Sequence, residues 1–172
     1  MKEDYVNSFL APAKMVWEKE MGLNLEVVGA EVTSNQFTTD DLTAIIGVSG
    51  RLEGNVLYGF SEESAQSIVG VMLGEPVSTV NDELALSAIG EIGNMITGNA
   101  AARLAQLGYT CNISPPVIIN PGGSRFTTVV PQILVKFTSS VGGLAVRIGL
   151  TENSRPDKSR IRVASPAWAA TI

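Results

Sequence analysis

Two short phrases in this sequence match each other position by position, and that match restricts the fold more than any other feature. Val56-Leu57-Tyr58-Gly59-Phe60-Ser61-Glu62 lies over Val146-Arg147-Ile148-Gly149-Leu150-Thr151-Glu152. Each is a strand-like run with glycine before its last apolar residue, followed by a hydroxyl and a glutamate. The segments ahead of each phrase follow one order. In residues 5–21, Val6, Phe9, Leu10, Ala13, Val16 and Trp17 recur at helical spacing, with Pro12 either bending the helix or moving its start. Residues 25–32 alternate as a strand, and residues 43–49 and 55–60 form a hairpin around Gly50-Arg51-Leu52-Glu53-Gly54. Ser61-Glu62-Glu63-Ser64 then caps a short helix through residues 65–73, stopped by Gly74 and Pro76.

The second half runs the same course. A long helix spans about residues 81–107 and ends at Gly108. A strand follows near residues 110–113 or runs on through Ile119, and Gly122-Gly123 marks a loop. Residues 132–138 and 144–150 make another hairpin around Val141-Gly142-Gly143. Two helix-plus-three-strand units predict an α+β layer fold, one antiparallel sheet with both long helices on one face. We expect one domain over residues 1–151. Residues 152–172, interrupted by Pro156 and Pro166, show no sustained periodicity and are expected to form an irregular tail with no assignable role.

Composition narrows the chemistry. The net charge of −5 argues against a nucleic-acid binder, whose affinity comes from clustered Lys and Arg. No run approaches the roughly 20 apolar residues of a membrane span, and Met1-Lys2-Glu3-Asp4 does not open like a signal peptide, so a cytoplasmic address is expected. Cys111 stands alone, which leaves no internal disulfide or thiol metal cluster; it is expected as a small core residue. The chain has no histidine. Ser-His-Asp and Cys-His triads, histidine-bound zinc and imidazole bases are therefore excluded. Neither GxxxxGK[ST] nor GxGxxG opens a helix. Catalysis here must use carboxylates, amides, hydroxyls or a partner's own groups.

The long helix is the informative part. At about 100° per residue, Ala85, Ile89, Ile92, Ile96, Ala100 and Leu107 share an apolar arc that should face the sheet. Ser87, Glu91, Asn94, Gly98 and Ala105 share the opposite one, with Glu91 and Asn94 three apart and so neighbours. A solvated face usually carries long charged side chains. Here Gly90, Gly98, Ala101 and Ala105 surround one acid and one amide. Each interior glycine costs roughly 0.8–1 kcal/mol relative to alanine, which makes sense where another backbone comes close. Two readings fit: another element of the same chain packs on the small residues, or a second protein does. Other residues have duller expected roles. Asn99 should bond a loop, Arg103 should lay its stem on apolar surface, Trp17 and Trp168 should pack, and Asp40-Asp41 should precede a strand as a loop or cap.

Ser87-x-x-x-Glu91-x-x-Asn94 followed by Gly98-Asn99-Ala100 resembles the signature of the CheC/CheX/FliY phosphatase family. The phrase Glu91-Ile92-Gly93-Asn94-Met95-Ile96-Thr97-Gly98-Asn99-Ala100 looks like that motif almost letter for letter, and the likeness in element order extends from about residue 5 to 151. The resemblance implies a phosphatase acting on the aspartyl phosphate of a CheY-type response regulator. By it, Asn94 holds the attacking water, a task suited to an amide that donates, accepts and does not titrate. Glu91 pairs with the lysine of the receiver's active site. Ser87, Gly90 and Gly98 are expected at the partner contact, Ser87 being otherwise a plain surface serine. The first helix has no Glu-x-x-Asn, so the single site resembles the CheX branch, which implies a homodimer. The resemblance also implies no cofactor of the chain's own, Mg2+ belonging to the phosphorylated partner. A non-catalytic adapter on the same fold, binding a receiver or a flagellar-switch component, is the alternative.

Overall fold

A computed structural model describes residues 2–154 and makes the two matched phrases adjacent strands. In chain order the elements are α1 (Glu3–Met21), β1 (Glu26–Thr33), β2 (Gln36–Thr38), β3 (Leu42–Gly50), β4 (Leu52–Phe60), α2 (Glu62–Leu73) and α3 (Glu83–Gln106). There follow β5 (Cys111–Ile113), β6 (Val117–Ile119), β7 (Arg125–Thr127), β8 (Gln132–Ser139) and β9 (Gly142–Glu152). The main sheet is antiparallel in the order β1-β8-β9-β4-β3-β5, with β6 also on β3.

That order is a palindrome in terms of the two halves. Each half places its last strand at the centre and its second beside it, while its first crosses to the other half's edge. Leu57 pairs with Arg147, Val56 with Ile148 and Tyr58 with Val146. Since the phrase match equates Leu57 with Arg147 and Val56 with Val146, this register is what a local twofold axis through the Leu57–Arg147 pair requires. The expected α+β sheet with both long helices on one face is present. Its core joins Phe9, Val16 and Trp17 of α1, Ile89, Ile92 and Ile96 of α3, and inward residues of the central strands such as Ile46, Val56, Val146 and Ile148.

The other face carries an element the sequence did not announce. β2 and β7 pair as a separate ribbon, Phe37 opposite Phe126, with ring centroids 6.1 Å apart and nearly parallel. The Arg147 guanidinium lies 4.9 Å from the Phe37 ring centroid, so the ribbon covers the sheet where the local axis crosses it. Leu57 and Leu134, on that face by strand alternation, are buried.

Several boundaries differ from expectation. α1 starts at Glu3 and continues through a buried Pro12 to a left-handed Gly22, so the proline neither ends the helix nor delays it. β4 begins at Leu52, inside the stretch expected as a turn. Glu152 pairs with Leu52 and ends β9, so the sheet takes in the first residue of the expected tail. The remainder of that tail from residue 155, with Trp168, lies outside the described residues.

Glu152 also closes a clasp on α1. Tyr5 Oη donates to Glu152 Oε1 at 2.6 Å, and Lys2 Nζ reaches both Glu152 and, at 2.8 Å, the Tyr109 hydroxyl. The Lys2 and Tyr5 bonds hold the Glu152 carboxyl below the usual glutamate range. Its contribution to stability is therefore present above that ordinary range and is lost as pH falls through the depressed value. Exposed pairs contribute little, so the effect is small. Glu152→Gln is expected to melt slightly below wild type at neutral pH, with the gap closing in acid. A gap of constant size across the pH range would contradict the ionic contribution.

Candidate functional site

Asp82 opens α3 by accepting the Ala85 N–H on its side chain at 2.7 Å. Ala85, Ile89, Ile92, Ile96 and Ala100 are buried as the apolar arc requires. Leu107 is not: it is 52% exposed, and Leu104 closes the stripe instead. The helix ends at Gln106, and the Leu107 N–H bonds to the Arg103 and Leu104 carbonyls in a tightened last turn, so the helical angle no longer applies to Leu107.

On the opposite arc Ser87, Glu91 and Ala105 are exposed, while Asn94 and Gly98 are half-buried. Among the described residues the Glu91 and Asn94 side chains have no hydrogen bond or ion pair within the chain. Both heads are free to meet something else. The glycines around them answer to different neighbours. A Cβ on Gly98 would meet nothing nearer than Ile113 Cδ1 at 3.9 Å, so its surface is open. Gly90, also expected at the partner contact, has close neighbours in its own chain. It is buried, and its Cβ would stand 3.2 Å from Pro116 Cγ and 3.5 Å from Ile118 Cδ1; the close approach it allows is that of the chain's own β6 segment.

The duller residues divide similarly. Asn99 Nδ2 donates to the Met95 carbonyl one turn back at 2.8 Å, a bond within the helix and not to a loop. Arg103 is exposed. Cys111 is half-buried at the core margin, where burial pushes its thiol up. Asp41 Oδ2 accepts the Glu62 N–H at 3.1 Å at the start of α2. No group of three or more His, Cys, Asp or Glu among the described residues is placed to hold a metal ion.

Sequence reasoning missed the polar contact beneath the motif. Tyr58 of β4 is fully buried, its hydroxyl 2.7 Å from Thr97 Oγ1, and Thr97 Oγ1 donates to the Gly93 carbonyl at 2.8 Å. Thr97 has one hydrogen to give, so Tyr58 is the donor between them. Burial pushes the Tyr58 phenol well above its usual range, which keeps that proton in place. The Tyr58 ring also fills the space a side chain at residue 93 would need, since a Cβ there would lie 2.9 Å from Tyr58 Cδ2. A tyrosine on the inward face of a strand and a threonine on the inward arc of a helix were the available signals.

The local symmetry extends to the helices. Tyr5, Ser8, Phe9, Pro12, Ala13 and Val16 of α1 are buried in the same spacing as Ile89, Ile92, Gly93, Ile96, Thr97 and Ala100 of α3. In that register Asn7 stands where α3 has Glu91, and Leu10 where it has Asn94. Exposure agrees too, Asn7 being exposed and Leu10 half-buried. Of these two related helices, only α3 thus carries the Glu-x-x-Asn pair.

The fold and site together define a duplicated α+β domain whose longest described helix presents the Glu91 carboxylate and the Asn94 carboxamide without partners in the described chain. The chain belongs to the family described as chemotaxis phosphatase CheX, whose model matches residues 42–138, more than half of its length. Among curated proteins it is similar to the CheY-P phosphatase CheX of Thermotoga maritima, 44% identical over 79 residues that make up 46% of this chain and 51% of that protein. The match therefore spans about half of that relative. Among solved structures it is similar to the chemotaxis protein CheX of Vibrio vulnificus, with a TM-score of 0.76 and 28% identity over 86% of this chain and 99% of that one. The same fold occurs in the CheX–CheY–BeF3–Mg2+ complex of Borrelia burgdorferi, at a TM-score of 0.71 and 23% identity over 88% of this chain and all of that one.

Proposed function

We propose that this chain hydrolyses the aspartyl phosphate of a CheY-type response regulator, with α3 as the docking helix. The observation that carries the reading is the free Glu91–Asn94 pair, held outward on a surface kept low by Ser87 and Gly98 and without partners in its own fold. The named activity of the Thermotoga relative and the CheY bound in the Borrelia complex support it.

In this reading water attacks the phosphorus in line, the P–O bond to the aspartyl carbonyl carbon's oxygen breaks, and the aspartate carboxylate leaves. Inorganic phosphate takes up the proton that the water gives up. Such transfers depend on positioning and electrostatics more than on a strong base. The Asn94 carboxamide orients the water by accepting from it while donating toward the phosphoryl oxygens. Glu91 would repel a phosphoryl group unless paired, so it is assigned to the receiver's active-site lysine, where a charge-assisted bond fixes the docking register. Mg2+ sits with the partner, where it neutralises phosphoryl charge. The reaction belongs in the cytoplasm, with the receiver.

We also propose a homodimer formed through the edge of β1. Among the described residues that strand pairs only with β8, and it leaves Val28 and Val32 62% and 76% exposed, so its free edge lets a second copy continue the sheet. Sedimentation equilibrium tests this, and a monomer at micromolar concentration would contradict it.

A phosphate-release assay on a CheY-type receiver charged by a small-molecule phosphodonor tests the activity. Wild type is expected to accelerate release; an adapter would bind without accelerating it. Glu91→Ala is expected to raise KM about tenfold, from loss of a charge-assisted contact, and to lower kcat as well. An effect on kcat alone would contradict the docking role.

A further inference from the structure

The contact beneath α3 is unlike its counterpart beneath α1, and the difference follows the functional pair. In the symmetry register Gly93, Thr97 and Tyr58 correspond to Phe9, Ala13 and Ile148. All three of those are buried, and none has a polar side-chain atom. At these three positions the helix without the acid–amide pair packs by apolar contact, its polar ties to Glu152 from Lys2 and Tyr5 lying at its first turn. The half with the pair replaces a phenylalanine by glycine, seats a tyrosine ring in the vacated space and adds two hydroxyls. Apolar contacts tolerate sliding and rolling because they are non-directional. A hydrogen-bond chain of 2.7 Å and 2.8 Å does not, because it weakens steeply away from its preferred angles. Its anchor points, Gly93 and Thr97, lie on either side of Asn94 along the helix.

We propose that the buried Tyr58–Thr97 hydroxyl pair, braced on the Gly93 carbonyl, is a positioning device that fixes the height and roll of α3 and so the placement of Asn94 against the attacking water. The pair touches neither water nor substrate. It acts through the helix backbone, and the inference rests on the phosphatase reading above. Productive geometry tolerates about 0.5 Å, and a misplacement of about 1 Å can cost on the order of 100-fold in rate, so a small roll of α3 suffices to matter.

The test separates positioning from folding by removing both hydroxyls while keeping their shapes. Replacing both partners of a buried hydrogen bond by apolar groups is nearly neutral for stability, whereas removing one leaves an unsatisfied group. Tyr58→Phe/Thr97→Val is therefore expected to melt close to wild type and to keep wild-type affinity for a receiver held with BeF3 and Mg2+. Its kcat should fall about tenfold with KM unchanged, as expected when geometry alone is loosened. Thr97→Ser, which keeps the hydroxyl, should recover most of the rate. A double variant with wild-type kcat overturns the inference, because the pair then serves packing only. If the double variant does not fold, Tyr58→Phe alone carries the readout, with the same kcat split supporting and wild-type kcat overturning. Asn94→Ala is run alongside. Should it lose the rate while the hydroxyl variants keep theirs, the site reading stands and this inference falls; should it keep the rate, both fall together.

Discussion

Asn94→Ala is expected to lower catalysed phosphate release about 100-fold, the scale that follows when a reacting water loses its positioning group. Affinity for the BeF3-activated receiver should stay within about twofold, because the docking charge is assigned to Glu91 and the truncation leaves the helix backbone untouched. Asn94 is half-buried and its side chain makes no hydrogen bond among the described residues, so truncating it breaks nothing that holds the fold. Alanine is also the better helix former by a few tenths of a kcal/mol. The melting temperature should therefore hold or rise slightly while the rate falls. That opposition between stability and rate is the diagnostic result. The assay compares single-turnover release with and without the variant, and binding is read by fluorescence titration. A variant that still accelerates release to the wild-type extent removes Asn94 from the mechanism. A variant that loses binding in step with rate makes Asn94 a docking residue, and water placement would need another group.

What could be read from the sequence followed the length and periodicity of each element. α3 and the β8–β9 hairpin were plain because long periodic runs average out single exceptions. β2 and β7, three residues each, offered no period to read; they exist because Phe37 and Phe126 meet across the local axis, far apart in the chain. The sequence starts β4 too late because Gly54 reads as a turn residue, whereas it lies within the strand, opposite Val48. A helical angle placed Glu91 and Asn94 outward correctly, yet it could not distinguish Gly90 from Gly98. One faces Pro116 and Ile118 of its own chain and the other faces open space, and only tertiary packing decides which. The roles proposed for Glu91 and Asn94 rest on family resemblance, since an exposed acid and amide one turn apart have no unique chemistry.

Gly54→Ala is the structural counterpart, with the largest expected loss of stability. Gly54 has φ +147°, and a Cβ there would fall inside contact distance of the Gly149 carbonyl oxygen on β9. Both obstacles are backbone, so no rotamer can relieve them. Strain at such a φ costs about 1–3 kcal/mol, and forcing two paired strands apart adds roughly 1–3 kcal/mol. Against a total stability of about 5–15 kcal/mol this is a large fraction. At roughly 2–4 °C per kcal/mol for a chain of this size, the melting temperature should fall by on the order of 10 °C. Gly22→Ala supplies the control. Gly22 also has positive φ, +66°, but nothing lies within 4 Å of its Cβ position, so alanine there should cost only about 1–2 kcal/mol. If the two variants melt together, the close approach of β4 to β9 is not what the register requires. If Gly54→Ala falls further, catalysis should fail at the same lower temperature, because β4 also carries Tyr58 beneath the helix that presents Asn94.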